Sequence, residues 1–123
     1  MSIKVAIDAL EEALADFDSA YLITVGDGGR VKVVSADIAV SGDSVVMRNG
    51  SAGTARNLAG NPSVTVLCPP RERHGLALLI DGQGAPDGDG FRITPEHAIL
   101  HRLAAHSDDP QAPHDCGNDC RPV

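Results

Sequence analysis

Two arginines, three asparagines and a run of small residues lie close together between Arg48 and Leu67, in RNGSAGTARNLAGNPSVTVL, and the chemistry they suit is anion binding. Asn49, Gly50, Ser51 and Gly53 break regular structure after an apolar run. Thr54 to Gly60 then read as two helical turns opened by small hydroxyl residues that can cap. Asn61-Pro62 stops the helix, because the residue before a proline is pushed out of helical geometry. Val64, Val66 and Cys68 alternate with Thr65 and Leu67 as a strand. A loop of small residues leading into a helix N-terminus offers free backbone N–H groups, and beside Arg48 and Arg56 these would suit a phosphate. The same residues also fit an ordinary crossover between strands that carries a solvated arginine.

Other groups are weaker candidates. His97 and His101 share a face in either a helix or a strand, but no third ligand is spaced with them, so interfacial or hydrogen-bonded histidines are expected rather than a metal. His114, Cys116 and Cys120 could hold zinc or close a disulfide, yet a closed zinc site needs four ligands; exposed or redox-active cysteines are the simpler reading. Asp81 is a general-base candidate or a strand-end carboxylate satisfied by a turn. Cys68, within a strand, reads as a small buried hydrophobe. Nucleophile-elbow and phosphate-loop motifs are absent.

The elements that must position these residues fit in one domain, since the chain has 123 residues. Its aromatic residues are Phe17, Tyr21 and Phe91, so the core must be built from Val, Ile, Leu and Ala. A net charge of −7 argues against nucleic acid and anionic membrane as partners and makes the few basic residues more telling. No apolar run approaches the roughly 20 residues of a membrane span, and acids interrupt the N-terminus where a signal peptide would stay apolar. A soluble, cytoplasmic protein is expected.

Ile3, Ile7, Leu10 and Leu14 fall at helical spacing and predict an amphipathic helix of about four turns. Tyr21–Val25 and Val31–Val40 read as strands joined at Asp27-Gly28-Gly29, and Ser44–Met47 follows the turn Ser41-Gly42-Asp43. Leu76–Asp81 reads as a central strand, with Gly82 and Gly84 marking a bulge or bend. Phe91–Leu103 is either a strand bent at Pro95 or a strand and a helix. The sum is a mainly β chain, a small antiparallel barrel with a flanking helix over residues 1–104, followed by an extended or disordered tail over 105–123.

The order of helix, TVGDGGRVKVV hairpin, RNGSAGTARNLAGNPSVTV loop and LLIDGQG strand resembles the pyridoxamine 5′-phosphate oxidase-like split-barrel flavoproteins. The most specific piece is A-R-N-L-x-x-N-P-x-V, Ala55 to Val64. The resemblance implies a six-stranded split barrel, a homodimer, and a cofactor in the groove between subunits, FMN in some members and the deazaflavin coenzyme F-420 in others. It places the cofactor ring along the second hairpin strand, here Lys32, Val33, Val34 and Ser35 up to Ala36. It gives phosphate and ribityl contacts to residues matching Lys32, Arg48, Asn49, Ser51, Thr54, Arg56 and Asn57. Many FMN-binding members carry Arg-Lys directly before the helix, where this chain has Gly53-Thr54. The oxidase's own substrate-binding C-terminal segment has no counterpart, so true pyridoxamine-phosphate oxidase activity is not expected. The implied function is a flavin-type oxidoreductase acting on a small molecule. The alternatives are a non-enzymatic carrier or a barrel that has lost its cofactor, and a metal or redox sensor acting through the His/Cys tail.

Overall fold

The computed structural model describes residues 2–102, so the expected tail over 105–123, with His114, Cys116 and Cys120, lies outside the described residues. Eight strands form one antiparallel sheet: β1 (Ser2–Lys4), β2 (Tyr21–Val25), β3 (Val31–Ser35), β4 (Ile38–Ser41), β5 (Ser44–Met47), β6 (Ser63–Cys68), β7 (Ala77–Asp87) and β8 (Gly90–His101). The order is β3-β2-β6-β7-β8-β5-β4, and β1 pairs with β8 beyond the end of β5. The helices are α1 (Leu10–Leu14), led by a single 3-10 turn, and α2 (Ala52–Gly60). No described helix is long and apolar enough to cross a membrane.

The sheet is mainly β and antiparallel as expected, but with eight strands where six were expected. One addition comes from the expected strand Val31–Val40, which divides at Ala36-Asp37 into β3 and β4. The other comes from the N-terminus. The helix expected from Ile3 is a strand over Ser2–Lys4 and becomes helical only after Ala6. Ser2, Ile3 and Lys4 pair with His101, Leu100 and Ile99, satisfying an edge of β8 that β5 does not reach.

The core is the inward face of the strands: Leu22 of β2, Val45 and Met47 of β5, Val64, Val66 and Cys68 of β6, Leu78 and Ile80 of β7, and Phe91, Ile93 and Ala98 of β8. Leu10 of α1 and Leu58 of α2 close it. β8 is one continuous strand, so Pro95 neither ends it nor starts a helix. Asp81 pairs with His97 and Gly82 with Pro95, leaving Glu96 as an extra residue, and the buried positions accordingly run 91, 93, 95 and then 98. A side chain at Gly82 would overlap the Thr94 carbonyl oxygen. Gly82→Ala is therefore expected to cost about 1–3 kcal/mol by forcing β7 and β8 apart at the bulge, read as a lower urea midpoint.

The two turns predicted from glycine are present, with Gly28 and Gly29 at φ 75° and 81° in the first and Gly42 at φ 63° in the second.

Candidate functional site

α2 begins at Ala52, two residues earlier than expected, because its cap is Ser51, whose Oγ accepts from the Thr54 N–H at 3.3 Å. Gly53 and Thr54 thus lie inside the first turn rather than before the helix. The consecutive residues Arg56, Asn57 and Leu58 have separate tasks. Leu58 is buried, and its methyls stand 3.3 and 3.4 Å from where a Cβ on Gly84 of β7 would be. Asn57 donates its amide N–H to Thr24 Oγ1 of β2 at 3.0 Å, a buried hydroxyl, and so pins the helix to the hairpin. Arg56 is exposed. The helix packs against β2 and β7, and its arginine lines a cavity shared with the hairpin.

A cavity of about 450 Å³ lies between that helix and the hairpin, lined by Gly26, Asp27, Arg30, Val31, Lys32, Gly53, Arg56 and Asn57. Lys32 reaches from β3 onto α2, its Nζ 3.1 Å and Cε 2.8 Å from where a Cβ on Gly53 would stand. Glycine lets the lysine lie close over the helix start, where a methyl would make its flexible end shift. Arg30, Lys32 and Arg56 make no ion pair among the described residues, and one acid, Asp27, shares the cavity. A cation laid against the positive end of a helix dipole, with two arginines beside it, is repulsive until an anion enters.

β3 continues from this cavity as an edge of the sheet. Gly26 N–H donates to the Arg30 carbonyl and Ala36 N–H to the Ala20 carbonyl, which fixes the alternation of the β2–β3 ladder. The backbones of Arg30, Lys32 and Val34 therefore face β2. Those of Val31, Val33 and Ser35 face outwards, and no described strand pairs with them. The side chains of Val31 and Val33 are 58% and 56% exposed.

The other expected residues gather at the far end of β3. Asn49 accepts from the Asp37 N–H at 2.9 Å and donates to the Ser35 carbonyl at 3.0 Å. The Arg48 guanidinium grips the Asp37 carboxylate at 2.9 and 3.3 Å, and the Arg48 N–H donates to the Asp37 carbonyl at 2.8 Å. The guanidinium, first by its hydrogen bond, holds the Asp37 carboxyl below its ordinary value. This pairing is complete above the usual carboxylate range and is lost as pH falls through the lowered value. Arg48 and Asn49 do not line the cavity that holds Lys32 and Arg56. Ser51 is the helix cap, and Thr54 is buried with its hydroxyl unpartnered among the described residues, away from the cavity lining. Arg30 and Asp27 are the residues the sequence reading missed; they belong to the hairpin turn, whose nearness to α2 no local pattern announces.

This arrangement has known relatives. Uncharacterized proteins from Mycobacterium bovis and Mycobacterium tuberculosis are 38% identical to this chain over 95% of its length and 93% of theirs. A Listeria innocua protein assigned provisionally as a pyridoxamine 5′-phosphate oxidase superposes with a TM-score of 0.63 at 15% identity, over 76% of this chain and 96% of that one. The chain has the split-barrel fold of pyridoxamine 5′-phosphate oxidase-like proteins. No family model matches the sequence. The FAD binding protein of Mycobacterium smegmatis (TM-score 0.61, 12% identity, 85% and 100% coverage) has the same fold. So does the heme storage protein HutZ of Vibrio cholerae (TM-score 0.57, 17% identity, 77% and 93% coverage). A split barrel therefore does not by itself choose a ligand; the cleft must.

The remaining candidates stand apart from that cleft. Asp81 is exposed in mid-strand, and Thr65 Oγ1 donates to it at 2.6 Å, so it is neither buried nor satisfied by a turn. His97 and His101 lie on the outward face of β8, with His101 Nδ1 3.1 Å from Ser2 Oγ. No three or more described His, Cys, Asp or Glu residues are grouped to hold a metal. Cys68 is buried, and burial pushes its thiol up to about 11, which leaves it protonated at neutral pH. A larger hollow of about 640 Å³ beside Phe17, Pro70 and Leu76 carries the Arg71–Asp18 ion pair and none of the expected cofactor residues.

Proposed function

We propose that this chain binds a phosphate-bearing flavin-type cofactor, FMN or the deazaflavin F-420, and uses it to oxidise or reduce a small molecule. The observation that carries the reading is the Lys32 ammonium packed on Gly53 at the start of α2, with Arg30 and Arg56 in the same cavity. In a chain of net charge −7, this cluster of cations, without ion pairs among the described residues, suits an anion. It also answers the missing Arg-Lys of other members. The charge comes from β3, and glycine at position 53 makes space for it, which speaks against a barrel that has lost its cofactor.

Lys32, Arg30, Arg56 and the free N–H of Gly53 would hold the phosphate, and the open edge of β3 at Val31, Val33 and Ser35 would align the ring. A bound flavin or deazaflavin supplies the two-electron chemistry. The chain's part is to bind, orient and keep water from one face. No acid or base is assigned, because among the described residues no titratable side chain besides the anion-binding cations and Asp27 lines the cleft.

The outward face next to the cleft supports a homodimer. Tyr21, Ile23 and Val25 of β2 share that face with Val31 and Val33 of β3, Leu67 of β6, Leu79 of β7 and Ile99 of β8. Val31, Val33 and Tyr21 are exposed. Covering this apolar face with a second copy would also wall the cleft. Val33→Glu is expected to halve the mass measured by light scattering.

The deciding experiment titrates the purified, cofactor-stripped protein with FMN, F-420, riboflavin and hemin while following fluorescence or the visible spectrum. Micromolar or tighter binding of FMN or F-420, with riboflavin much weaker, supports the reading. Tight hemin binding with no flavin binding would replace it, although none of the described histidines lines the cleft.

A further inference from the structure

The side-chain amide of Asn49 does to β3 what one residue of an added strand would do. It donates to the Ser35 carbonyl and accepts from the Asp37 N–H, the two outward groups that flank Ala36. A neighbouring parallel strand makes this pair of bonds, from a single residue, to the residues before and after its partner. The amide is held there in turn, since the next residue back, Arg48, is tied to Asp37 through both its backbone N–H and its guanidinium. Asn49 and Arg48 thereby close the β3 edge at one end. The Lys32–Gly53 contact marks the other end. Between them, among the described residues, Val31 and Val33 keep both outward groups and Ser35 keeps only its N–H.

We infer that Asn49 is a positioning residue for the cofactor ring, fixing where along β3 the ring sits by capping the strand edge beyond Ser35. This rests on the cofactor reading above and adds a role that phosphate binding would not give it. An uncapped edge repeats every two residues, about 6.8 Å, so a planar ligand with donors and acceptors along its rim would have a second register to occupy. The cap removes that register by consuming its two groups.

The test uses the full chain with FMN as probe and riboflavin as the phosphate-free comparison. In Asn49→Ala, FMN affinity should fall by about two- to ten-fold, the worth of a lost neutral hydrogen-bond set, and riboflavin affinity by the same factor because the loss is at the ring. The visible band of bound FMN should shift or lose its fine structure relative to wild type. Asn49→Asp keeps the acceptor for Asp37 but turns a second oxygen towards the Ser35 carbonyl; it should behave as Asn49→Ala does, and it serves as the folded variant if alanine fails to fold. A bound-FMN spectrum identical to wild type in the variants, with only a lower melting temperature, overturns the inference and leaves the cofactor reading standing. A wild-type chain that binds neither FMN nor F-420 overturns the cofactor reading itself.

Discussion

Lys32→Ala is expected to weaken FMN binding by about ten- to a hundred-fold and to leave riboflavin binding close to wild type. The ammonium stands 3.1 Å from where a Cβ on Gly53, in the first turn of α2, would be, and a hydrogen bond to a charged partner is worth about 1.5–3 kcal/mol, which converts to that range. Removing Lys32 also opens the space above Gly53. Gly53→Ala in the wild-type background should reproduce part of the loss, because a methyl there would meet Lys32 Cε at 2.8 Å and push the ammonium off the helix. Titrations at two salt concentrations separate charge from shape, as the Lys32 contribution should shrink at high salt while the Gly53 effect on packing remains. Equal losses of FMN and riboflavin in Lys32→Ala would move the lysine from the phosphate to the ring and contradict the cavity as a phosphate site.

Much of the fold around this cleft could be read from local sequence, and the reasons differ from residue to residue. Gly28 and Gly29 adopt the left-handed backbone their hairpin requires, so the turn was visible in Asp-Gly-Gly. Asn61-Pro62 ends α2 where the proline rule puts the end. The glycines at 82 and 84 announced an irregularity in β7, and the strand register slips at Gly82. The N-terminus was misread because Ile3, Ile7, Leu10 and Leu14 carry a helical period, but Ile3 is 44% exposed and belongs to a strand. What recruits it is the vacant stretch of β8 edge nearly a hundred residues away, which no window of sequence contains. Arg48 and Asn49 carry the same lesson about function. Their types suit a phosphate, yet Asp37, eleven and twelve residues earlier, occupies both. A cation in a sequence shows its charge and hides its partner.

Leu58→Ala is expected to cost about 2–5 kcal/mol of stability and to weaken FMN binding in the same variant, because one side chain anchors the helix that carries the site. Leu58 is 5% exposed, and its methyls rest over Gly84, which has no side chain to fill the space that truncation would leave. The helix would then be held by the Asn57–Thr24 hydrogen bond, the Ser51 cap and the packing of Thr54 and Ala55 in its first half. Arg56 and the Gly53 surface under Lys32 lie on this helix and would lose their fixed distance from β3. Urea unfolding measures the first effect through the midpoint, and FMN titration well below that midpoint measures the second. Ala59→Ser, on the exposed side of the same turn, should change neither by more than about 0.5 kcal/mol. A Leu58→Ala protein that is destabilised yet binds FMN as tightly as wild type would mean that Lys32 and Arg30 on the hairpin hold the phosphate without the helix. The cavity would then be a hairpin site to which α2 contributes only a wall.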